Sequence, residues 1–276
     1  LGYTLQTFTS SGTLTLGALE ATISGNITGT GSLTANPASG GKFTFTGTNS
    51  YAGSTTLSAG TLQVGTGGLA GSLGALNAAV INNGTLIFNR SDALSYSGLF
   101  SGTGALTVAT GGLTLTGGAT YTGLTTLSST ATASSVTYTN SAVPSTSGFA
   151  GKGTVTIQPA ANGTFSSAVN TNIYSLASTL TGFSLGSSTN TNTQAVTVGS
   201  AISIAGPIAL YGGKITLNAD LTAGATSGSG IVLQGTQIVQ AAGVDVATSG
   251  ANISYALTNS PWTSAADYGI YLSGTS

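Results

Sequence analysis

Two reactive side chains are missing from this sequence, which contains no Cys and no His. The absence of Cys excludes disulfides, thiolate zinc sites and thiol nucleophiles. The absence of His removes the imidazole that serves as general base or metal ligand, and the many Ser have no evident activator. We therefore predict that the protein is not an enzyme and has no catalytic residue, no cofactor and no metal site.

Charge is nearly absent as well. Charged residues make up 3% of the chain and give a net charge of -1, against roughly 25% charged residues in an ordinary domain. Such a chain cannot neutralise a run of phosphates, so nucleic acid is excluded as a partner. Asp92 has a charged near neighbour, Arg90, which predicts a solvated ion pair. Asp220 and Asp245 stand isolated in the sequence, and no calcium-loop motif surrounds them.

Long apolar runs are lacking too. No stretch reaches the about 18 residues that a membrane helix needs, so no membrane span is predicted. The chain opens at Leu1 without a basic segment and an apolar run, so we expect a mature or trimmed product without a signal peptide. Because 40% of the residues are hydrophobic, the chain can bury a core and is not expected to be disordered.

The sequence is rich in short segments in which apolar and polar residues alternate, as in β-strands, and Gly residues separate these segments. A Gly-Thr-apolar unit recurs as GTLTL at Gly12, GTLQV at Gly60, GTLIF at Gly84 and GTVTI at Gly153. Apolar and polar residues alternate with a period of two, whereas the helix formers Glu, Lys, Arg and Met are scarce. The pattern predicts an all-β fold with almost no helix.

The spacing of these units favours a solenoid over a sandwich or barrel. Gly60 and Gly84 lie 24 residues apart, about one coil of a parallel β-helix. Hairpin dipeptides are few, with Asn-Gly at Asn83 and at Asn162. We predict a parallel β-helix of about twelve coils. Stacking also explains the missing charge, because like charges on adjacent coils would repel.

The first half of the chain contains a long internal repeat. KFTFTGTNSYAGSTTLS from Lys42 aligns without a gap with GLTLTGGATYTGLTTLS from Gly112. Residues 187–194, SSTNTNTQ, predict an exposed bulge or linker. We predict three sections: 1–140, a β-helix with two copies of the repeat; 141–195, a less regular β section; and 196–276, further β-helix coils with an aromatic end.

The stretch NSYAGSTTLSAGTLQVG resembles the passenger-associated repeat of bacterial autotransporters. The matching residues are Tyr51, Gly53, Thr55, Thr56, Gly60, Thr61 and Leu62. The second copy departs from the pattern, with Leu124 after its glycine and no Gly-Thr-Leu step. Residues 201–224 look like a coil of filamentous-haemagglutinin-type surface exoproteins. These resemblances imply a right-handed parallel β-helix that works outside the bacterial cell as an adhesin, stalk or fibre.

The main functional prediction is an extracellular structural or adhesive subunit of a bacterial surface fibre or stalk that assembles head to tail. One alternative is a passenger fragment of an autotransporter adhesin that binds a host or glycan receptor. A lesser alternative is ice binding through outward Thr-x-Thr pairs, although Gln63 and Ile87 interrupt that array. The expected partners are therefore other copies of the chain, or a cell-surface receptor or glycan.

Aromatic and apolar residues gather at both ends of the chain. They either cap the core or contact another subunit, since Trp and Tyr are enriched in subunit contacts. The ends carry no charged cap, and open strand edges promote further pairing. The candidate subunit contact consists of Leu1, Tyr3, Leu5, Phe8, Trp262, Tyr268 and Tyr271.

Overall fold

The computed structural model describes residues 7–8, 12–16, 20–37, 40–128, 134–140, 142–160, 163–189, 192–258 and 269–272, with the backbone alone for 7–8, 12–16 and 269–272. The chain divides into two compact units. The first comprises Leu1–Thr137 and Pro144–Ser147, and the second comprises Tyr138–Val143 and Gly148–Ser276. In the described ranges, no helix is long and apolar enough to cross a membrane.

The first unit is built from short strands that pair in parallel. Its larger sheet runs in the order β3-β6-β8-β10-β12-β13, a second sheet runs β2-β5-β7-β9-β11, and β1 pairs with β4. The strands are β1 (Thr7–Phe8), β2 (Gly12–Leu16), β3 (Glu20–Ile23), β4 (Thr28–Gly29), β5 (Leu33–Pro37), β6 (Lys42–Phe45), β7 (Thr55–Leu57), β8 (Thr61–Val64), β9 (Val80–Asn82), β10 (Thr85–Tyr96), β11 (Phe100–Ser101), β12 (Ala105–Leu115) and β13 (Thr125–Ser128).

The second unit has three sheets in its described part. They run β15-β18-β21-β24-β27, β16-β19-β22-β25-β28 and β20-β23-β26. A 3-10 helix, η1, covers Thr171–Ile173. The strands are β14 (Ser134–Thr139), which begins in the first unit, β15 (Gly148–Gln158), β16 (Val169–Asn170), β17 (Ser175–Leu176), β18 (Gly182–Leu185), β19 (Val196–Val198), β20 (Ile202–Ile204), β21 (Ile208–Tyr211), β22 (Lys214–Leu217), β23 (Leu221–Ala223), β24 (Ser229–Gly235), β25 (Gln237–Gln240), β26 (Val246–Thr248), β27 (Asn252–Leu257) and β28 (Gly269–Leu272).

Strand register confirms the predicted all-β parallel β-helix. Thr61 pairs with Thr85, 24 residues along the chain. Gly84 follows Gly60 in the stack, since a Cβ on Gly84 would lie 2.4 Å from the Gly60 carbonyl oxygen. The described residues form about 10 turns, against the predicted twelve or so for the chain. Turn length varies: Thr85 pairs with Ala105, 20 residues on, whereas Thr154 pairs with Gly182, 28 residues on.

The core consists of inward side chains stacked turn upon turn. In the first unit, Phe45 stacks on Val64, then Phe88, then Val108, and each is at most 2% exposed. Such stacks supply the hydrophobic stabilisation of a fold whose turns contact only their neighbours.

The Thr-Thr-Leu steps of the two copies of the long repeat lie in different sheets. Thr55–Leu57 of the first copy forms β7 of the second sheet, whereas residues 125–127 of the second copy belong to β13 and pair with β12 in the larger sheet. β10 continues through a register shift into residues 93–96, which pair with residues 112–115 at the start of the second copy. The repeat is therefore not a whole number of turns, and the second copy is displaced by one side of the solenoid.

Outward side chains of the larger sheet form a mixed stack. In register, Thr44 is followed by Gln63, Ile87 and Thr107. The alternation predicts a solvent-facing Gln63, but this residue is only 9% exposed because its amide folds back and donates to the Gly65 carbonyl oxygen, 2.7 Å away. The threonines of this sheet therefore do not continue on consecutive turns.

The stacking explanation for the missing charge can be tested at Thr34 and Thr56. These residues pair in register and point outward from β5 and β7. Lys at both positions should lower the free energy of unfolding by about 1 kcal/mol relative to Lys at 34 with Glu at 56. Urea denaturation at low salt measures the difference, and added salt should shrink it. Equal stability of the two double variants would contradict the explanation.

Candidate functional site

The predicted end contact lies mostly outside the described residues. Leu1, Tyr3, Leu5, Trp262 and Tyr268 are not described. The backbone of Phe8 pairs with Gly29, and that of Tyr271 pairs with Val239. A subunit contact through these seven residues stays a prediction.

The repeat motif forms a buried corner that is the same in both copies. The hydroxyl of Tyr51 lies 2.6 Å from Oγ1 of Thr55, and that of Tyr121 lies 2.7 Å from Oγ1 of Thr125. All four side chains are at most 2% exposed. A buried phenol requires a hydrogen-bond partner, which explains the spacing of Tyr and Thr in the motif.

The buried tyrosines predict alkaline unfolding. Burial raises the pKa of Tyr51 to about 12, although hydrogen bonds with Thr55 and Gly74 partly lower it, and burial also raises the pKa of Tyr96 and of Tyr174. A phenol with a raised folded pKa adds stability that is complete below its unfolded value of about 10 and is lost above it.

As the pH rises from 10 to 12, the free energy of unfolding should therefore fall by about 3 kcal/mol through Tyr51 alone. This value follows from the difference of about two between the folded and unfolded pKa, at about 1.36 kcal/mol for each pKa unit. Circular dichroism and tyrosinate absorbance against pH measure this loss, and Tyr51→Phe should reduce it. Titration of every tyrosine near pH 10 with unchanged circular dichroism would contradict it.

The chain between β8 and β9 forms an irregular loop, residues 65–79. Leu73 is inserted into the core and is 1% exposed. Leu69 and Leu76 instead point outward, 70% and 48% exposed. Two leucines with such high exposure lie within eight residues of each other in this loop. Clusters of exposed apolar side chains often mark binding surfaces.

The predicted ion pair fastens this loop. Arg90 Nε and Nη2 donate to the two carboxylate oxygens of Asp92, each at 2.8 Å, and Nη1 donates to the Gly71 carbonyl oxygen. The hydrogen bonds from Arg90 lower the pKa of Asp92. The pair is less solvated than predicted, with the Arg90 side chain 12% exposed. The two charges of the pair cancel, so the pair adds no net charge beside the loop.

Two other acids, isolated in the sequence, lie on adjacent turns. The backbone N–H of Asp245 donates to Oδ1 of Asp220 at 2.8 Å, because β23 pairs with β26. Across the described part of the chain, no three His, Cys, Asp or Glu side chains gather into a group that could hold a metal.

A groove of about 490 Å³ opens between the loop and β10. Its lining includes the apolar side chains of Leu69, Leu76 and Leu94 and the polar groups of Thr48, Ser72 and Arg90. No sequence pattern predicted the groove, although Leu69, Leu73 and Leu76 depart from the alternation of the strands.

Comparison with known proteins identifies the family of the repeat that contains Tyr51. A family model described as the passenger-associated-transport-repeat matches residues 38–64. The chain is 42% identical over 87 residues to the adhesin BmaC autotransporter of Brucella suis biovar 1 (strain 1330), a match covering 31% of this chain and 2% of that protein. No solved structure matches the chain. The predicted resemblance to autotransporter passenger repeats is thus confirmed, whereas the haemagglutinin-like interpretation of residues 201–224 stays a prediction.

Proposed function

We propose that this chain is part of the passenger of an autotransporter adhesin, displayed outside a bacterial cell, where it binds a host-cell or glycan receptor and catalyses no reaction. One observation carries the proposal: the family model of the passenger repeat matches residues 38–64, and residues 40–64 of that match fold into one turn of a parallel solenoid. The similarity to an adhesin adds support.

This proposal is favoured over a self-assembling fibre subunit. The relative is named as an adhesin, and the described structure has an apolar groove on its surface. The match covers 2% of the length of that relative. The activity of the whole adhesin is therefore not assigned to this chain, and adhesion by this chain is a proposal. Head-to-tail assembly through the chain ends remains a separate prediction.

Adherence of coated beads tests the proposal. Beads carrying the 276-residue chain should bind cultured epithelial cells, or a component of a glycan array, above beads carrying an unrelated protein of similar charge. The Leu69→Ser/Leu76→Ser variant tests the groove, and Leu124→Ser, at another exposed leucine, is its matched control. Binding no greater than background on both surfaces would overturn the proposal, and long fibres in electron micrographs would favour the fibre subunit.

A further inference from the structure

One edge of the solenoid is open at residues 93–96 of β10. This segment pairs with β12 on one side, where Ala93 faces Gly112 and Tyr96 faces Leu115. Successive residues of a parallel strand direct their backbone groups to opposite sides. The Tyr96 carbonyl oxygen accepts from Thr116 N–H at 2.8 Å, so the even-numbered residues bond to β12. Ala93 and Ser95 therefore direct their N–H and C=O groups away from it.

The loop of residues 65–79 runs along the side of residues 93–96 that faces away from β12. It bonds to the chain just before and just after this segment. Ser91 N–H donates to the Gly68 carbonyl oxygen at 3.0 Å. Ser97 N–H donates to the Leu76 carbonyl oxygen at 2.8 Å. The loop needs more residues than β10 to cover the same interval, so its middle is displaced from the strand.

The middle of the loop bonds to the preceding turn instead. Ser72 N–H donates to the Gly47 carbonyl oxygen at 3.2 Å, and Ala75 N–H donates to that of Tyr51 at 2.8 Å. The side chain of Asn49 donates to the Ser72 carbonyl oxygen at 2.6 Å. These bonds draw the loop towards the turn below and leave the groove beneath β10.

Ala93 and Ser95 consequently have no backbone partner on the loop side among the described residues. Both are exposed. Leu94 between them points inward yet is only half-buried, whereas Leu113, its partner in β12, is 1% exposed. The displacement of the second repeat copy explains the gap, because no strand lies beneath residues 93–96.

We propose that this edge binds an extended, uncharged segment of another polypeptide, which adds to β10 as a strand and places an apolar side chain against Leu94 and Leu76. Unpaired N–H and C=O groups on a strand edge are the recognition element for such strand addition. The closed Arg90–Asp92 pair gives the groove no net charge to attract an ionic ligand. The inference deepens the proposed adhesin function, on which its biological role rests, by assigning the receptor to the polypeptide class.

The probe is the acetylated and amidated peptide GLTLTG, the sequence of residues 112–117 that pairs with the opposite side of the same strand. Titration of the full isotope-labelled chain at millimolar peptide should shift amide resonances of residues 91–97 and 65–79. The peptide GLPLPG, which lacks two N–H donors, should not shift them.

Ser95→Pro should weaken binding at least tenfold, because it removes an edge N–H that does not bond to β12. Ser95→Ala keeps the N–H and should bind like the natural chain. Circular dichroism checks that each variant folds, and if Ser95→Pro does not, the GLPLPG comparison on the natural chain decides.

Absence of GLTLTG shifts, equal shifts from GLPLPG, or undiminished binding by folded Ser95→Pro would each overturn the inference. Shifts at the same amides from neutral oligosaccharides, persisting in Ser95→Pro, would also overturn it by making the site a glycan site. Beads that adhere to cells while the chain binds no peptide would leave the adhesin proposal standing. Peptide binding without adherence would leave the edge standing and overturn the adhesin proposal.

Discussion

Phe88→Ala is expected to lower the free energy of unfolding by about 4 kcal/mol. Phe88 is 2% exposed. Its ring centroid lies 5.6 Å from that of Tyr96 and 6.4 Å from that of Phe100, and the last two lie 5.5 Å apart. Truncation therefore removes transfer free energy and aromatic contacts, and leaves a cavity between turns fixed by their backbone ladders.

Leu99→Ala is the matched control for this prediction. Leu99 is 42% exposed and adjoins the same cluster in sequence, so its truncation should change stability by about 0.5 kcal/mol or less. Because solenoid turns can open locally, hydrogen exchange of β8, β10 and β12 should accompany urea denaturation. Similar losses for the two variants, or unchanged exchange in Phe88→Ala, would contradict the role given to the cluster.

Gly123→Ala should cost about 3 kcal/mol, at the upper end of the usual range for overpacking. A Cβ at this position would lie 2.1 Å from the Gly104 carbonyl oxygen and 2.8 Å from the Ala105 nitrogen. Both are backbone atoms of the preceding turn, so a side-chain rotation cannot relieve the clash. Gly53 occupies the same motif position in the first copy. A Cβ there would lie 2.5 Å from the Gly31 carbonyl oxygen, so Gly53→Ala should have a similar cost.

Gly68→Ala provides the control for chain entropy without a clash. Nothing lies within 4 Å of a Cβ at Gly68, and its φ is not in the left-handed region. Alanine there should leave stability unchanged or raise it by up to about 1 kcal/mol, because it restricts the unfolded chain. Thermal and urea unfolding of the two variants measure the contrast. Equal stability of Gly123→Ala and Gly68→Ala would show that the turns can separate without cost.

The resemblance at Tyr51 illustrates how a sequence motif becomes geometry. The motif prescribes Tyr, Gly and Thr at fixed spacing, and the structure assigns each a separate task. Tyr51 fills the corner, Thr55 satisfies its hydroxyl, and Gly53 admits the preceding turn. In the second copy, Leu124 replaces the residue after the glycine and is 40% exposed, so that position tolerates change without loss of the corner.

Local sequence determined the fold class and the number of residues in a turn. Alternation assigned Leu62 and Val64 to the core, where both are fully buried, because the side-chain period of a strand is two. The 24-residue interval between Gly60 and Gly84 gave the length of one turn, because each turn of a solenoid packs on its neighbours and must return to the same position. These features depend on residues near one another in the chain.

Only the tertiary structure decided the candidate site. The open edge at Ala93 and Ser95 exists because the middle of the 65–79 loop bonds to the turn below, and no local pattern specifies which turn will accept those bonds. The same holds for the adjacency of Asp220 and Asp245, 25 residues apart. Alternation in the sequence predicts which side chains point inward. Which segment pairs with a strand edge depends instead on the lengths of all the turns between the two segments.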